Sequence, residues 1–208
     1  MDTLSIALLL AGAGFAAGAL NAIAGGGSFL TLPALLVAGL PPIVANATSA
    51  LAVSPGYLGS TLGFRAELAQ LPRRRLLRET LLSAAGGVLG ALLLLVTPAE
   101  VFRGLIPWLL LFATALFLLG PWLARHLVAA SASAEPRWRN PGLLAVATYG
   151  GYFNGGLGIL LMALYTVAGE SRIHTVNALK NLNSLVLSWL AVGAFVLAGD
   201  THPLITPR

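Results

Sequence analysis

Long apolar segments, separated by short polar or glycine-rich segments, make up most of the chain. A helix rises about 1.5 Å per residue, so about 20 apolar residues are needed to cross a hydrocarbon core of about 30 Å. The segments long enough to do so are Leu4–Ile23, Ile43–Phe64, Thr80–Val96, Gly104–Leu123 and Thr175–Ala198. The pattern therefore predicts an all-α, polytopic integral membrane protein.

The remaining apolar segments are too short to cross a bilayer. Phe29–Leu40 and Leu157–Ala168 would each form only about 18 Å of helix, and Pro141–Phe153 is similarly short. They adjoin two breaks: Gly25, Gly26 and Gly27 in the first half, and Asn154, Gly155 and Gly156 in the second. Irregular backbone at membrane depth persists only where it is buried in protein or lines a wet cavity, so the breaks are predicted to be functional.

The composition favours a membrane protein and excludes several kinds of site. The chain of 208 residues is 57% hydrophobic and only 9% charged, whereas soluble domains carry about 25% charged residues. It has no cysteine, which excludes disulfides and thiolate chemistry. The histidines His126, His174 and His202 are far apart in the chain, and no P-loop or GxSxG motif occurs. We predict no metal, no cofactor and no enzymatic activity.

Basic residues are concentrated between the apolar segments. The net charge of +5 comes almost entirely from arginine, clustered in Arg65–Glu79 and Ala124–Asn140. Both segments are predicted to be polar loops, and the positive-inside rule places both in the cytoplasm. Arg172 and His174, just before the last helix, favour the same side. The arginines are therefore interpreted as topology signals and not as nucleic-acid ligands.

The same order of features occurs twice along the chain. Each half has a glycine break, a short helix, a glycine turn and a long helix with an Asn-Ala pair; Gly39 corresponds to Gly169, and Asn46 to Asn177. We predict two homologous, inverted repeats, an arrangement common in secondary transporters. The predicted boundaries are 1–123 for the first transmembrane repeat, 124–140 for the basic loop and 141–208 for the second repeat. The second repeat is predicted to be truncated, because no helices follow its Asn-Ala helix.

The glycine breaks are candidate anion sites. Successive N–H groups at a helix start, together with the positive end of the helix dipole, bind anions. Two facing breaks would hold a small oxyanion through the amides of Gly25–Gly27, Gly155 and Gly156, with Asn154 in the same site. The alternative is that these glycines serve only close helix packing, as is expected of Gly14 and Gly18 and of Gly86 and Gly90.

Polar side chains within the long helices would complete the site. One face of the last helix and the matching face of the first half carry these residues: Asn177, Lys180, Asn181 and Ser184, and Asn46 and Ser49. Lys180 is the only lysine and lies well inside a predicted helix, where burial costs roughly 2.5–3.5 kcal/mol. Every acidic residue falls in a predicted loop or near a helix end, so a bound anion is the expected counter-charge. Interhelical hydrogen bonds for the asparagines, and extension of Lys180 to the interface, are the alternatives.

Two stretches resemble the signature regions of the TauE/SafE sulfite-exporter family. The first runs through Asn21–Pro33 and Ala45–Ser49, and the second through Gly151–Leu160 and Asn177–Asn181. The resemblance extends along essentially the whole chain. It implies a multi-pass permease of the bacterial plasma (inner) membrane, in a family with members linked to export of sulfite or organosulfur anions. Family chains usually continue with further membrane helices.

These observations together predict a permease for a small anion, sulfite or a related organosulfur anion, that works by alternating access. The predicted partners are the small anion and the lipid bilayer, with homo-oligomerisation left open and no nucleic acid. A passive anion channel, a non-transporting membrane subunit and an intramembrane enzyme are the alternatives.

Overall fold

The computed structural model describes residues 2–23, 25–128 and 136–199. Within these ranges every regular element is an α-helix, as the apolar pattern predicts. The helices are α1 (Thr3–Ile23), α2 (Ser28–Val37), α3 (Pro42–Gly63), α4 (Arg65–Ala69), α5 (Arg73–Val96), α6 (Ala99–Val128), α7 (Arg139–Tyr152), α8 (Leu157–Val167) and α9 (Ile173–Gly199).

The two short helices α2 and α8 end in the same way. Gly39 and Gly169 follow them with φ of +90° and +89°, a conformation that glycine adopts without a Cβ penalty. The next residues then close the helix ends, because the N–H groups of Leu40 and Glu170 donate to the carbonyls of Leu35 and Tyr165. These bonds satisfy carbonyls that a helix end otherwise leaves unpaired.

The first break turns the chain back on itself. An open apolar groove of about 560 Å³ lies between α1 and α2, with Leu8 and Leu9 of α1 and Val37 of α2 in its wall. The end of α2 therefore lies beside the beginning of α1, and the two helices form a hairpin.

The second break forms a hairpin as well. Arg139, at the start of α7, contacts Glu79 of α5, and Glu170, just after α8, contacts Arg75 one turn away on the same helix. Phe64 and His174 are also close at this end, with ring centroids 6.2 Å apart. We call it the arginine-rich end. The second hairpin opens at this end, because α7 begins here and α8 ends here. Helix α3 begins at the open end of the first hairpin and ends at the arginine-rich end. The two hairpins therefore open towards opposite ends of the bundle.

Helices α5 and α7 pack backbone against backbone through glycine. A Cβ added to Gly86 would lie 2.5 Å from Ala147 Cβ, and one added to Gly90 would lie 2.5 Å from Tyr152 N. A Cβ at Gly151 would overlap the carbonyl oxygen of Gly87. The packing role expected of Gly86 and Gly90 is therefore confirmed, because any side chain there would hold the helices further apart. At Gly14 and Gly18 an added Cβ would meet nothing within 4 Å, so the close packing expected there is not found.

Helix α9 joins the two predicted halves. It packs against α3 and α5 of the first half and against α7 and α8 of the second. One apolar cluster shows this directly, since Leu179 and Leu187 of α9 pack there with Leu143 of α7 and Leu161 of α8. The predicted loop 124–140 thus does not separate two repeats with independent hydrophobic cores. The boundaries of the two repeats stay a prediction.

The prediction of a loop over Arg65–Glu79 is wrong. It is largely helical: it contains α4 and the first turns of α5, which begins at Arg73 directly after Pro72. Arginine, leucine and glutamate are good helix formers, and proline fits the start of a helix. The high charge of this segment was therefore not sufficient evidence for a loop. In the segment Ala124–Asn140, α6 continues to Val128 and α7 begins at Arg139; residues 129–135 and 200–208 lie outside the described residues.

The outer surface is apolar. Phe15, Val96 and Leu118 are 84%, 78% and 70% exposed, and large apolar side chains of other helices are exposed as well. In the described residues, Thr3–Asn21 and Arg73–Val96 have the length and hydropathy of membrane-spanning helices. These features are consistent with a helical membrane protein.

The close contact of α5 and α7 leads to a prediction. Gly90→Ala should destabilise the protein by about 1–3 kcal/mol, because the new methyl group overlaps the backbone of α7. Tryptophan fluorescence during thermal unfolding in detergent measures the effect. Gly104→Ala is the matched control, since a Cβ at Gly104 meets nothing within 4 Å; equal melting temperatures for the two variants would contradict the packing role.

Candidate functional site

The two helix breaks meet inside the bundle. A Cβ on Gly25 would lie 2.5 Å from the Cα of Gly158, so the first break crosses the beginning of α8 with no side chain between them. Ser28, at the start of α2, donates its hydroxyl to the carbonyl oxygen of Asn154 at 2.8 Å. The structure therefore brings together the segments that the sequence analysis singled out separately.

Asn46 bridges the second break. Its Nδ2 donates to the Tyr152 carbonyl at 3.1 Å, and its Oδ1 accepts the N–H of Asn154 at 3.2 Å. The end of α7 leaves these groups without helical partners, and the side-chain amide of Asn46 supplies both a donor and an acceptor. Asn46, predicted to bind substrate, thus has both polar atoms engaged with backbone.

Asn21 pairs a backbone group of the first break with its side chain, as Asn46 does at the second break. Its Oδ1 accepts the N–H of Gly27 at 3.2 Å, while the N–H of Gly25 donates to the Leu20 carbonyl at 3.2 Å. Two of the amides predicted to hold an anion are therefore already hydrogen-bonded within the protein. Sequence reasoning did not assign Asn21 a role; the available signal was a polar residue in the last turn of an apolar helix, just before a glycine break.

Lys180 points into the protein. Its side chain is fully buried, and Nζ donates to the carbonyl of Asn21 at 3.3 Å. That carbonyl lies at the end of α1, where the helix dipole favours a cation. Among the described residues no carboxylate lies within 4 Å of Nζ. Extension of Lys180 to the membrane interface is therefore excluded in this conformation, and no described carboxylate serves as its counter-charge.

Other buried polar side chains lie on the helices that meet at this lysine. The Tyr57 hydroxyl of α3 faces the side chains of Asn21 and Ser184. Tyr57 Oη, Asn21 Nδ2 and Ser184 Oγ are buried and can pair only with one another, and among the described residues both side-chain polar atoms of Asn181 are buried without a hydrogen-bond partner. Unpaired buried polar groups cost about 1–3 kcal/mol each. We call Asn21, Tyr57, Lys180, Asn181 and Ser184 the central polar cluster.

The other predicted site residues have varied surroundings. Ser49 and Thr31 share a hydroxyl–hydroxyl bond of 2.6 Å, and half-buried Asn177 donates to Ile173 in its own helix. The side chain of Asn154 is buried with neither polar atom paired among the described residues.

The glycines of the breaks are enclosed by apolar neighbours. Gly26 lies against Phe29 and Ile159. Gly155 packs on the ring of Phe153. Gly156 caps α8 with φ of +75°. These contacts place the three glycines in the packed interior where the two breaks cross.

A buried carboxylate was missed. Glu79 falls in the predicted loop Arg65–Glu79, but Glu79 lies in α5 and its side chain is only 1% exposed. Its Oε1 accepts Arg139 at 2.6 Å and Arg75 at 3.1 Å, and its Oε2 accepts the Tyr165 hydroxyl at 3.1 Å. Once α5 begins at Arg73, Glu79 is in its second turn and faces α7 and α8.

The charges around Glu79 form a network at the arginine-rich end. Arg75 also donates to Glu170 at 2.9 Å, and Asn183 of α9 donates to the Tyr165 hydroxyl. The network therefore ties α5 to α7, α8 and α9. In the ion pairs shown among the described residues, Arg75 and Arg139 balance Glu79 and Glu170, and none of these pairs includes Lys180.

A protein-family model and several known proteins match this chain, and the name of each describes an exporter or a membrane transporter. The family model "Sulfite exporter TauE/SafE" matches residues 10–207. A probable membrane transporter protein of Haemophilus influenzae is 30% identical over 90% of this chain and 78% of its own length. The probable membrane transporter protein YfcA of Escherichia coli K12 is 31% identical over 88% of this chain and 67% of its own length.

A third relative matches over a shorter stretch. The probable membrane transporter protein ORF9 of a Sinorhizobium species is 39% identical over 52% of this chain, and the match spans only 41% of that protein's length. No solved structure matches the chain.

The buried network leads to a second prediction. Glu79→Gln should destabilise the protein by about 3–5 kcal/mol, because Arg139 would lose the charge that compensates its burial. Thermal unfolding in detergent tests this. Exposed Glu100→Gln is the control, and a melting temperature of Glu79→Gln equal to that of the control would show that the network is not structural.

The bridge at the second break leads to a third prediction. Asn46→Ala should cost about 2–6 kcal/mol of stability, because two buried backbone groups, at about 1–3 kcal/mol each, would lose their partners. Asn177→Ala is the matched control on α9, since Asn177 bonds only within its own helix among the described contacts. Equal unfolding of the two variants would contradict the bridging role.

Proposed function

Because the chain belongs to the sulfite exporter TauE/SafE family, and is therefore a membrane transporter protein and not an enzyme, we propose that it is a carrier for a small anion. Sulfite or a related organosulfur anion is the proposed substrate, and the bacterial plasma (inner) membrane is the proposed location, with several membrane passes. The matches cover 78% and 67% of the lengths of these two relatives, and transport by this chain is part of the proposal.

The observation that carries the proposal is the surroundings of Lys180. A fully buried cation has one carbonyl partner, no carboxylate nearby in the described chain, and other buried polar side chains on the helices that meet there. Burying an isolated charge is very costly unless it is paired. A bound anion would provide the pairing, and the neighbouring hydroxyls and amides would donate hydrogen bonds to its oxygens.

The proposed binding residues differ from the first expectation. Lys180, Asn181 and Ser184 would contact the anion from α9, with Asn21 and Tyr57 opposite them, and Asn154 would lie at the edge. Gly25, Gly27, Asn46 and Ser49 would instead hold the helix breaks in place, because their polar groups are engaged within the protein. Gly26, Gly155 and Gly156 would line the crossing.

The proposed mechanism is alternating access. Two hairpins that open towards opposite ends of the bundle support an inverted-repeat arrangement, in which a site at the repeat interface is reached from each side in turn. The central polar cluster lies where α1 and α3 meet α9. Helices α5, α7 and α8, tied by glycine packing and the Glu79 network, would move together as one unit relative to α1–α3.

Reconstitution of the chain into liposomes tests the function. We expect saturable efflux of labelled sulfite and counterflow by unlabelled sulfite. Flux that never saturates would favour a passive channel, and absence of flux for sulfite and for organosulfonates would favour a non-transporting subunit.

The role of Lys180 leads to a fourth prediction. Lys180→Gln should weaken sulfite binding about 10- to 150-fold, since a hydrogen bond to a charged group contributes about 1.5–3 kcal/mol. Exposed Arg103→Gln changes the same net charge away from the cluster and should leave KM unchanged. A sulfite KM in Lys180→Gln equal to that of Arg103→Gln would remove Lys180 from the site.

A further inference from the structure

The charges near the central polar cluster limit the valence of its ligand. Lys180 contributes one positive charge from α9, and the facing residues of α1 and α3, Asn21 and Tyr57, carry none when Tyr57 is protonated. Among the described residues, the nearest ion pairs belong to the Glu79 network, which reaches α9 only at Asn183. The cluster with a protonated lysine therefore has a charge of plus one.

A singly charged anion would neutralise this cluster. A doubly charged anion would leave one uncompensated negative charge in a dry interior, where the penalty for an unpaired charge is large. Among the described residues no second cation is shown at the cluster, and Arg75 and Arg139 form ion pairs with Glu79 and Glu170.

The hydrogen-bonding groups of the central polar cluster also favour a singly charged ligand. An ammonium has three donors, and Lys180 uses one on the Asn21 carbonyl. Tyr57, Ser184 and the amide of Asn21 add donors that pair only with one another, while both Asn181 Nδ2 and Oδ1 are unpaired among the described residues. A donor-rich site with an acceptor suits an oxyanion that has kept a proton.

Resting on the proposed function, we infer that the site selects singly charged oxyanions, and takes sulfite as hydrogensulfite and not as the dianion. The recognition is electrostatic: Lys180 compensates one charge and no more. Singly charged sulfonates fit the same requirement, and sulfate does not.

Competition in liposomes containing the wild-type protein tests this inference. Methanesulfonate, which carries one charge at every pH used, should inhibit labelled sulfite efflux. Sulfate, which carries two, should inhibit at least about tenfold more weakly. Sulfate as effective as methanesulfonate would overturn the valence selection while leaving sulfite transport itself established.

The pH dependence provides an independent measurement. Above the pH at which hydrogensulfite loses its proton, the apparent sulfite affinity should fall about tenfold per pH unit, because only the monoanion binds. Methanesulfonate keeps its single charge over the same range, so a change in its inhibition constant reports titration of Lys180 or Tyr57, and the ratio of the sulfite affinity to the methanesulfonate affinity isolates titration of the substrate. A sulfite affinity that stays constant across this range would contradict the inference, whereas absence of sulfite flux at every pH would count against the proposed function itself.

Discussion

A helix that is interrupted away from water must find partners for the backbone groups that it uncovers, and this requirement governs the centre of the molecule. Lipid offers no hydrogen bonds, so each uncovered N–H or carbonyl must be paired by protein. Side chains from other helices do this here: Asn46 of α3 pairs both sides of the second break, and Ser28 of the first break pairs the carbonyl of Asn154. The second break is thus completed by the first half of the chain, whereas the amides of Gly25 and Gly27 at the first break are paired within their own half.

This constraint divides the polar residues into two groups. Those that pair backbone, such as Asn46 and the Oδ1 of Asn21, are saturated and hold the crossing together. Those on the inner face of α9 and opposite it, Lys180, Ser184 and Tyr57, keep donors that the backbone does not use. Proximity to a break is therefore a poor guide to ligand binding, because the nearest polar groups are used up by the break itself.

The charges are divided in a similar way. At the arginine-rich end, Arg75, Arg139, Glu79 and Glu170 compensate one another and join α5 to α7 and α8. A balanced network of this kind contributes rigidity and leaves little net field. Lys180 alone is buried without such compensation in the described chain. The two sites would therefore have different functions, one holding helices together and the other available to an anion.

The sequence by itself determined the helical class, the positions of the breaks and the glycine turns, and the singular character of Lys180. These follow from local rules: apolar length, the conformational freedom of glycine at Gly39 and Gly169, and the cost of burying a charge. Glu79 shows where such rules fail, since charge density alone suggested a loop at Arg65–Glu79 and concealed a buried carboxylate.

Only the tertiary structure decided which polar groups remain unpaired. Hydrogen bonds saturate, so a group engaged by a residue far away in the chain is no longer available to a ligand. Asn46 finds its partners at Tyr152 and Asn154, and Lys180 finds its own at Asn21. Such pairings depend on how helices cross in space, and nothing in the local sequence of either partner records them.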